Sequence, residues 1–188
     1  MRKQRTWKQY RTIDLALTAL MLAVFEYLII AAANYWFPDQ LYTASLAAVV
    51  TSIVYMRWGV WGGLHAALAG VVYCLFAGGT EPQYVIYCAG NLLSLLALIP
   101  LKKLGKETVR TGRLGLVFPL VVLLLMHVGR AVVALALGAA MADALSFFTT
   151  DSLSYLFTFV IIWIARKLDG VYEDQKHYLL RINSAEEE

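Results

Sequence analysis

Charge is scarce in this sequence. Of 188 residues, only 15% are Asp, Glu, Lys or Arg and 60% are apolar, whereas soluble domains are about a quarter charged and about half apolar. A mean hydropathy of +0.64 places the chain in the membrane class and excludes disorder and collagen-like repeats. Cysteine is nearly missing: Cys74 and Cys88 stand in no metal or redox spacing and read as buried thiols, which excludes a disulfide-stapled module. Sites of chemistry are missing too. There is no Walker-type phosphate loop, no His-Glu-x-x-His zinc pair and no Gly-x-Ser-x-Gly elbow. No nucleic-acid-binding pattern accompanies the net charge of +3, and no inverted repeat of the secondary-transporter kind is visible.

What remains is long apolar runs. They are continuous, so a transmembrane barrel with its alternating pattern does not fit. The first run, about 20 residues long, exceeds the apolar region of a signal peptide, so a cleavable leader is not expected. At about 20 residues per crossing, hydropathy predicts six spans, near 13–33, 41–56, 59–77, 83–101, 114–140 and 143–165, with Asp151-Ser152 as a cap inside the last. The expectation is one all-α polytopic domain over 1–188: a basic N-terminus at 1–12, a six-helix bundle at 13–166 and a tail at 167–188. With an even number of crossings, the N-terminus, the turn at 56–58, the loop at 102–113 and the tail share one side. That side holds every Lys and Arg except Arg130, while the opposite loops carry Asp39, Glu81 and Asp143. Positive charge stays inside, so both termini are expected in the cytoplasm of a prokaryotic plasma membrane, with the basic flanks against lipid headgroups.

Ionisable groups inside the spans are the exceptions to this apolar pattern, and each needs a partner or a task. Glu26 stands about 20 Å and Arg130 about 24 Å from the cytoplasmic ends of their spans, counted at 1.5 Å per residue. His127 shares the face of Arg130. Span four places Tyr84, Tyr87 and Asn91 on one stripe, and span six adds Asp151 and Tyr155; Trp36 sits in the loop after span one. Together these predict an outer pocket in which aromatic faces sandwich a ring and Asn91, His127 and Asp151 fix its polar edge, with Arg130 gripping a carboxylate or phosphate. The plainer alternatives are a Glu26–Arg130 ion pair and an interfacial belt of Tyr and Trp. His65, low in span three, reads as a packed residue. Ala19 and Ala23, in small-xxx-small spacing on span one, allow close approach of another helix, from this chain or a partner.

These features resemble the substrate-binding (S) component of energy-coupling factor transporters, the vitamin-uptake ABC systems of prokaryotes. The resemblance covers the size, the six helices, the Ala-x-x-x-Ala at Ala19 and Ala23, and the tail Trp163-Ile164-Ala165-Arg166-Lys167-Leu168-Asp169-Gly170. It implies capture of a vitamin or precursor at the outer face by Trp36, Tyr84, Tyr87, Asn91, His127, Arg130, Asp151 and Tyr155. It also implies docking through Ala19 and Ala23 on a transmembrane coupling protein driven by two ATPase subunits. The chain itself would be no enzyme and would need no cofactor or metal. No ligand-specific motif for thiamine, riboflavin, biotin or nickel and cobalt is matched. Three other readings compete: a small membrane scaffold of the cell-shape type without a ligand, a self-sufficient facilitator, and an intramembrane enzyme using Glu26 and His127, which lacks a nucleophile or metal to join them.

Overall fold

A computed structural model describes residues 6–38 and 44–186; Asp39 and the expected start of span two at Leu41 lie outside them. The described residues form ten α-helices and two 3-10 segments, with no strand among them. α1 is Trp7–Trp36, α2 Ala47–Trp58, α3 Gly62–Ala77, α4 Glu81–Asn91, α5 Leu98–Leu104, α6 Lys106–Thr111, α7 Leu114–Ala136, α8 Met141–Thr150, α9 Ser152–Ala165 and α10 Gln175–Glu186. Among the described residues, five stretches are long and apolar enough to cross a membrane: Trp7–Trp36, Ala47–Ala77, Glu81–Leu104, Leu114–Ala136 and Met141–Ala165.

Local chemistry sets the ends. α1 begins well before residue 13, because Thr6 and Gln9 form a reciprocal capping box that satisfies two otherwise orphaned donors. Thr80 and Gln83 do the same for α4, with Pro82 in its first turn. α3 stops at Gly78, whose φ of 70° is the left-handed cap that glycine adopts without steric cost. The 31-residue stretch Ala47–Ala77 is not one rod. Gly59 has φ 61°, and a Cβ on Gly62 would lie 3.1 Å from the Thr51 carbonyl oxygen. In a straight helix those residues would stand about 16 Å apart. α2 and α3 are therefore a tight hairpin of two short helices, each below the length of a full crossing. The last expected span is also divided, at Asp151 between α8 and α9; Asp151 makes no side-chain cap there.

α7 is the hub, packed against α2, α4, α6, α8 and α9. Leu22, Tyr55, Met56, Leu123, Met126 and Ile162 fill the core around it, all fully or almost fully buried. At one end of the bundle the basic segments meet. Arg57 forms an ion pair with Asp14 and donates to the Gly170 and Val171 carbonyls. Lys106 pairs with Asp174, Arg110 with Glu173, and Tyr10 donates to Gln175. The tail is thus no loose end: its turn is wedged among α1, the α2–α3 turn and α6, with Tyr172 and Gln175 buried, and α10 follows.

Candidate functional site

Two glycines build the site. On α4 and α7, Gly90 and Gly129 touch backbone to backbone: a Cβ on Gly129 would lie 2.0 Å from the Gly90 carbonyl oxygen, and one on Gly90 2.5 Å from the Arg130 nitrogen. No side chain fits between, so the next residue on each helix is brought to its counterpart. Asn91 Oδ1 accepts from Arg130 Nε at 2.8 Å, and Asn91 Nδ2 donates to the Ala66 carbonyl of α3 at 2.9 Å. A second close approach, Gly70 of α3 against the Tyr87 and Cys88 backbone, fixes α4 from its other side.

Arg130 completes its shell with Asp151, whose Oδ2 accepts from Nη1 at 3.2 Å, and with the Tyr87 ring, 4.6 Å beneath its guanidinium carbon. Tyr73 stacks on Tyr87 at 4.7 Å. His127 Nε2 lies 2.8 Å from the same Asp151 oxygen, and its Nδ1 is 3.0 Å from the Tyr155 hydroxyl. With Nε2 protonated, Nδ1 accepts from Tyr155, which fixes the ring at both nitrogens. From Asp151 Oδ1 the network continues through the Ser154 hydroxyl, which accepts from the Ser45 N–H at 2.8 Å. The Ser45 hydroxyl donates to Glu26 Oε1 at 2.6 Å. Glu26, Asn91, His127, Arg130 and Asp151 are all buried and belong to this one connected system.

Of the sequence-predicted residues, Asn91, His127, Arg130, Asp151, Tyr87 and Tyr155 are thus brought together. Glu26 joins them through Ser45 and Ser154; the direct Glu26–Arg130 ion pair is not formed, and Asp151, at the break between α8 and α9, takes the guanidinium instead. Tyr84 is half-buried one turn from Tyr87. Trp36 stands apart and is 67% exposed. It lines an apolar recess of about 540 Å³ with Ala33 and Phe37 of the α1 end and Leu153 and Phe157 of α9. Ala19 and Ala23 are half-buried on α1. His65 is buried, bonded to the Thr18 hydroxyl at 2.9 Å, as a packed residue would be. Sequence reasoning missed Ser45, Ser154 and Tyr73. The pairing of Asn91 with Arg130 had a signal, since each follows a glycine.

The arrangement suits binding an anion. A guanidinium laid over an aromatic face, with an amide and an imidazole beside it, can grip a carboxylate or phosphate once Asp151 yields. The cavity beside Arg130, bounded by Ser45, Ala47, Tyr73, Tyr87 and Asp151, measures about 10 Å³, room for about one water. Among the described residues no group of three or more His, Cys, Asp or Glu could hold a metal ion. No protein-family model, no curated protein and no solved structure matches the chain.

Proposed function

We propose that the chain is a solute-binding membrane subunit, an S component of an energy-coupling factor uptake system, that takes a small vitamin-like solute with an anionic group at Arg130. The observation that carries this reading is the buried cluster of Asn91, His127, Arg130 and Asp151, drawn from three elements and faced by Tyr87 and Tyr155. A charge at membrane depth is costly and marks function by default. The reading includes six crossings, with the α2–α3 hairpin counted as two, both termini and the basic end in the cytoplasm, and a prokaryotic plasma membrane as the location. Uptake would need a coupling protein docked on α1 at Ala19 and Ala23 and two ATPase subunits, since the sequence carries no phosphate loop.

One observation favours the second reading, a membrane scaffold without ligand. Arg130 already has its counter-ion, and the cavity holds little more than one water. Native mass spectrometry of the detergent-purified chain separates the two. The solute reading expects a retained mass of vitamin size, lost in the double variant Arg130→Gln with Asp151→Asn, which removes both charges together and keeps the fold. It also expects Ala19→Trp or Ala23→Trp to stop uptake while sparing retention. An empty wild-type protein that shows no thermal shift against a vitamin panel would overturn the solute reading and favour the scaffold.

A further inference from the structure

Glu26 is completely buried, yet only half of its carboxylate is used. Oε1 accepts from the Ser45 hydroxyl at 2.6 Å and from the Leu46 N–H at 2.8 Å, while Oε2 has no hydrogen-bond partner among the described residues. Ser45 and Leu46 are the non-helical lead-in to α2, and Ser45 and Ala47 bound the Arg130 cavity. A cavity of about 10 Å³ admits nothing larger than about one water unless a wall moves. The walls on α3, α4 and α7 are locked by backbone contacts at Gly70, Gly90 and Gly129, and α8 closes its side with Thr150 and with Phe147, whose ring packs edge-on against Tyr87. Ser45 and Leu46, by contrast, give their N–H groups to side chains, Ser154 Oγ and Glu26 Oε1. Their anchor on the far side is α1, which buries only Leu22, Glu26 and Ile30 along 30 residues.

We propose that Glu26 is a positioning residue: it ties the wall formed by residues 45–47 to α1 and holds the Arg130 cavity shut, so that releasing its bonds to Ser45 and Leu46 opens the site. This deepens the solute-binding reading and rests on it. The same tie links the cavity to the helix that carries Ala19 and Ala23, one and two turns away along α1. A shift of α1 acts on the wall through Glu26, with no contact to the solute.

The test is thiol labelling of the full chain in proteoliposomes. Cys74→Ala and Cys88→Ala clear the background, Ala47→Cys reports on the wall, and a small charged methanethiosulfonate is the probe. Ala47 is 3% exposed, so labelling is slow while the wall is closed. Glu26→Ala and Ser45→Ala are each expected to speed it about tenfold or more, the scale of losing one or two net hydrogen bonds. Glu26→Gln keeps an oxygen that accepts both bonds and is expected to label at the parent rate. Parent-rate labelling in both alanine variants overturns the tie, as does Glu26→Gln labelling as fast as Glu26→Ala. Where Glu26→Ala does not fold, Ser45→Ala decides alone. A protein that retains no solute in mass spectrometry counts against the solute reading and leaves these labelling rates to stand for themselves.

Discussion

At the basic end, Arg110 bonds both Glu107 and Glu173, Arg181 bonds both Glu173 and Asp169, and Lys106 bonds Asp174. The Arg181 and Asp169 side chains there are 51% and 66% exposed. In the buried cluster the Arg130 guanidinium faces the Asp151 carboxylate, each 5% exposed, and its other contacts among the described residues are the Asn91 amide and the Tyr87 ring. Both regions pair opposite charges, but the alternatives open to each charge differ. Arg110 and Arg181, on losing one acid, each keep another, and Lys106 meets water. Arg57, with Asp14 as its one acid among the described residues and the Gly170 and Val171 carbonyls beside it, is the exception at that end. Among the described residues, Arg130 without Asp151 would keep Asn91 and a Tyr87 face. Redundancy makes the first region a tolerant anchor, and its absence makes the second a place where one ligand anion can replace one protein anion.

The largest expected effect breaks that comparison at its sensitive side. Arg130→Ala leaves Asp151 buried beside His127 with its cation gone and should cost about 3–5 kcal/mol, the scale for orphaning one member of a buried pair. Arg130→Gln with Asp151→Asn removes both charges and should restore most of that loss. Denaturant unfolding of the three detergent-solubilised proteins measures it. Equal losses in the single and double variants would mean that the packing of Arg130 matters more than its charge.

Next comes the frame that aims the pair. Gly129→Ala places a methyl group 2.0 Å from the Gly90 carbonyl oxygen, so α4 and α7 must separate. Overpacking of this kind costs about 1–3 kcal/mol, and the separation should also weaken the Asn91–Arg130 bond. Val132→Ala, on the exposed face of α7, serves as the control and should change little. If Gly129→Ala unfolds like that control, the helices are not held at this crossing.

Much of this was legible in the residues. Long apolar runs on a charge-poor chain predict membrane helices, and the segregation of Lys and Arg predicts one basic end; the contacts of Asp14, Arg57, Lys106 and Asp174 gather those segments at one end. The charges at membrane depth named Glu26 and Arg130, because such residues must find partners, and span six offered Asp151 beside them. Which partner each would find was not legible. Glu26 and Arg130 lie at similar depths by residue count, and only the break between α8 and α9 puts Asp151 in reach of the guanidinium. Ser45 and Ser154 were invisible for a related reason: a serine in an apolar chain is common, and its bridging role depends on helices far apart in sequence. The tail was read as a tail because its charged residues do not show the apolar face of a bundle helix. Its docking relies on Tyr172, Gln175 and backbone carbonyls, which hydropathy does not register.

The smallest effect belongs to the tolerant end and depends on pH. Burial alone would raise the Asp174 carboxyl, but the Lys106 ammonium bonded to it holds it below its ordinary 3.8; Arg110 likewise holds Glu107 down. A carboxylate depressed in the folded state contributes stability that is fully present above its unfolded value and is lost as pH falls through the folded one. Docking of the tail should therefore be constant from neutral pH down to about 5 and weaken below about 4, by no more than about 1 kcal/mol per pair, since ion pairs open to water are worth little. Lys106→Gln should remove the Asp174 part of that dependence. Hydrogen exchange of the amides in 175–182, corrected for the intrinsic effect of pH, reads both. If Lys106→Gln frees the tail already at pH 7, this one pair is doing what the comparison assigns to several, and the basic end is no more redundant than the cluster around Arg130.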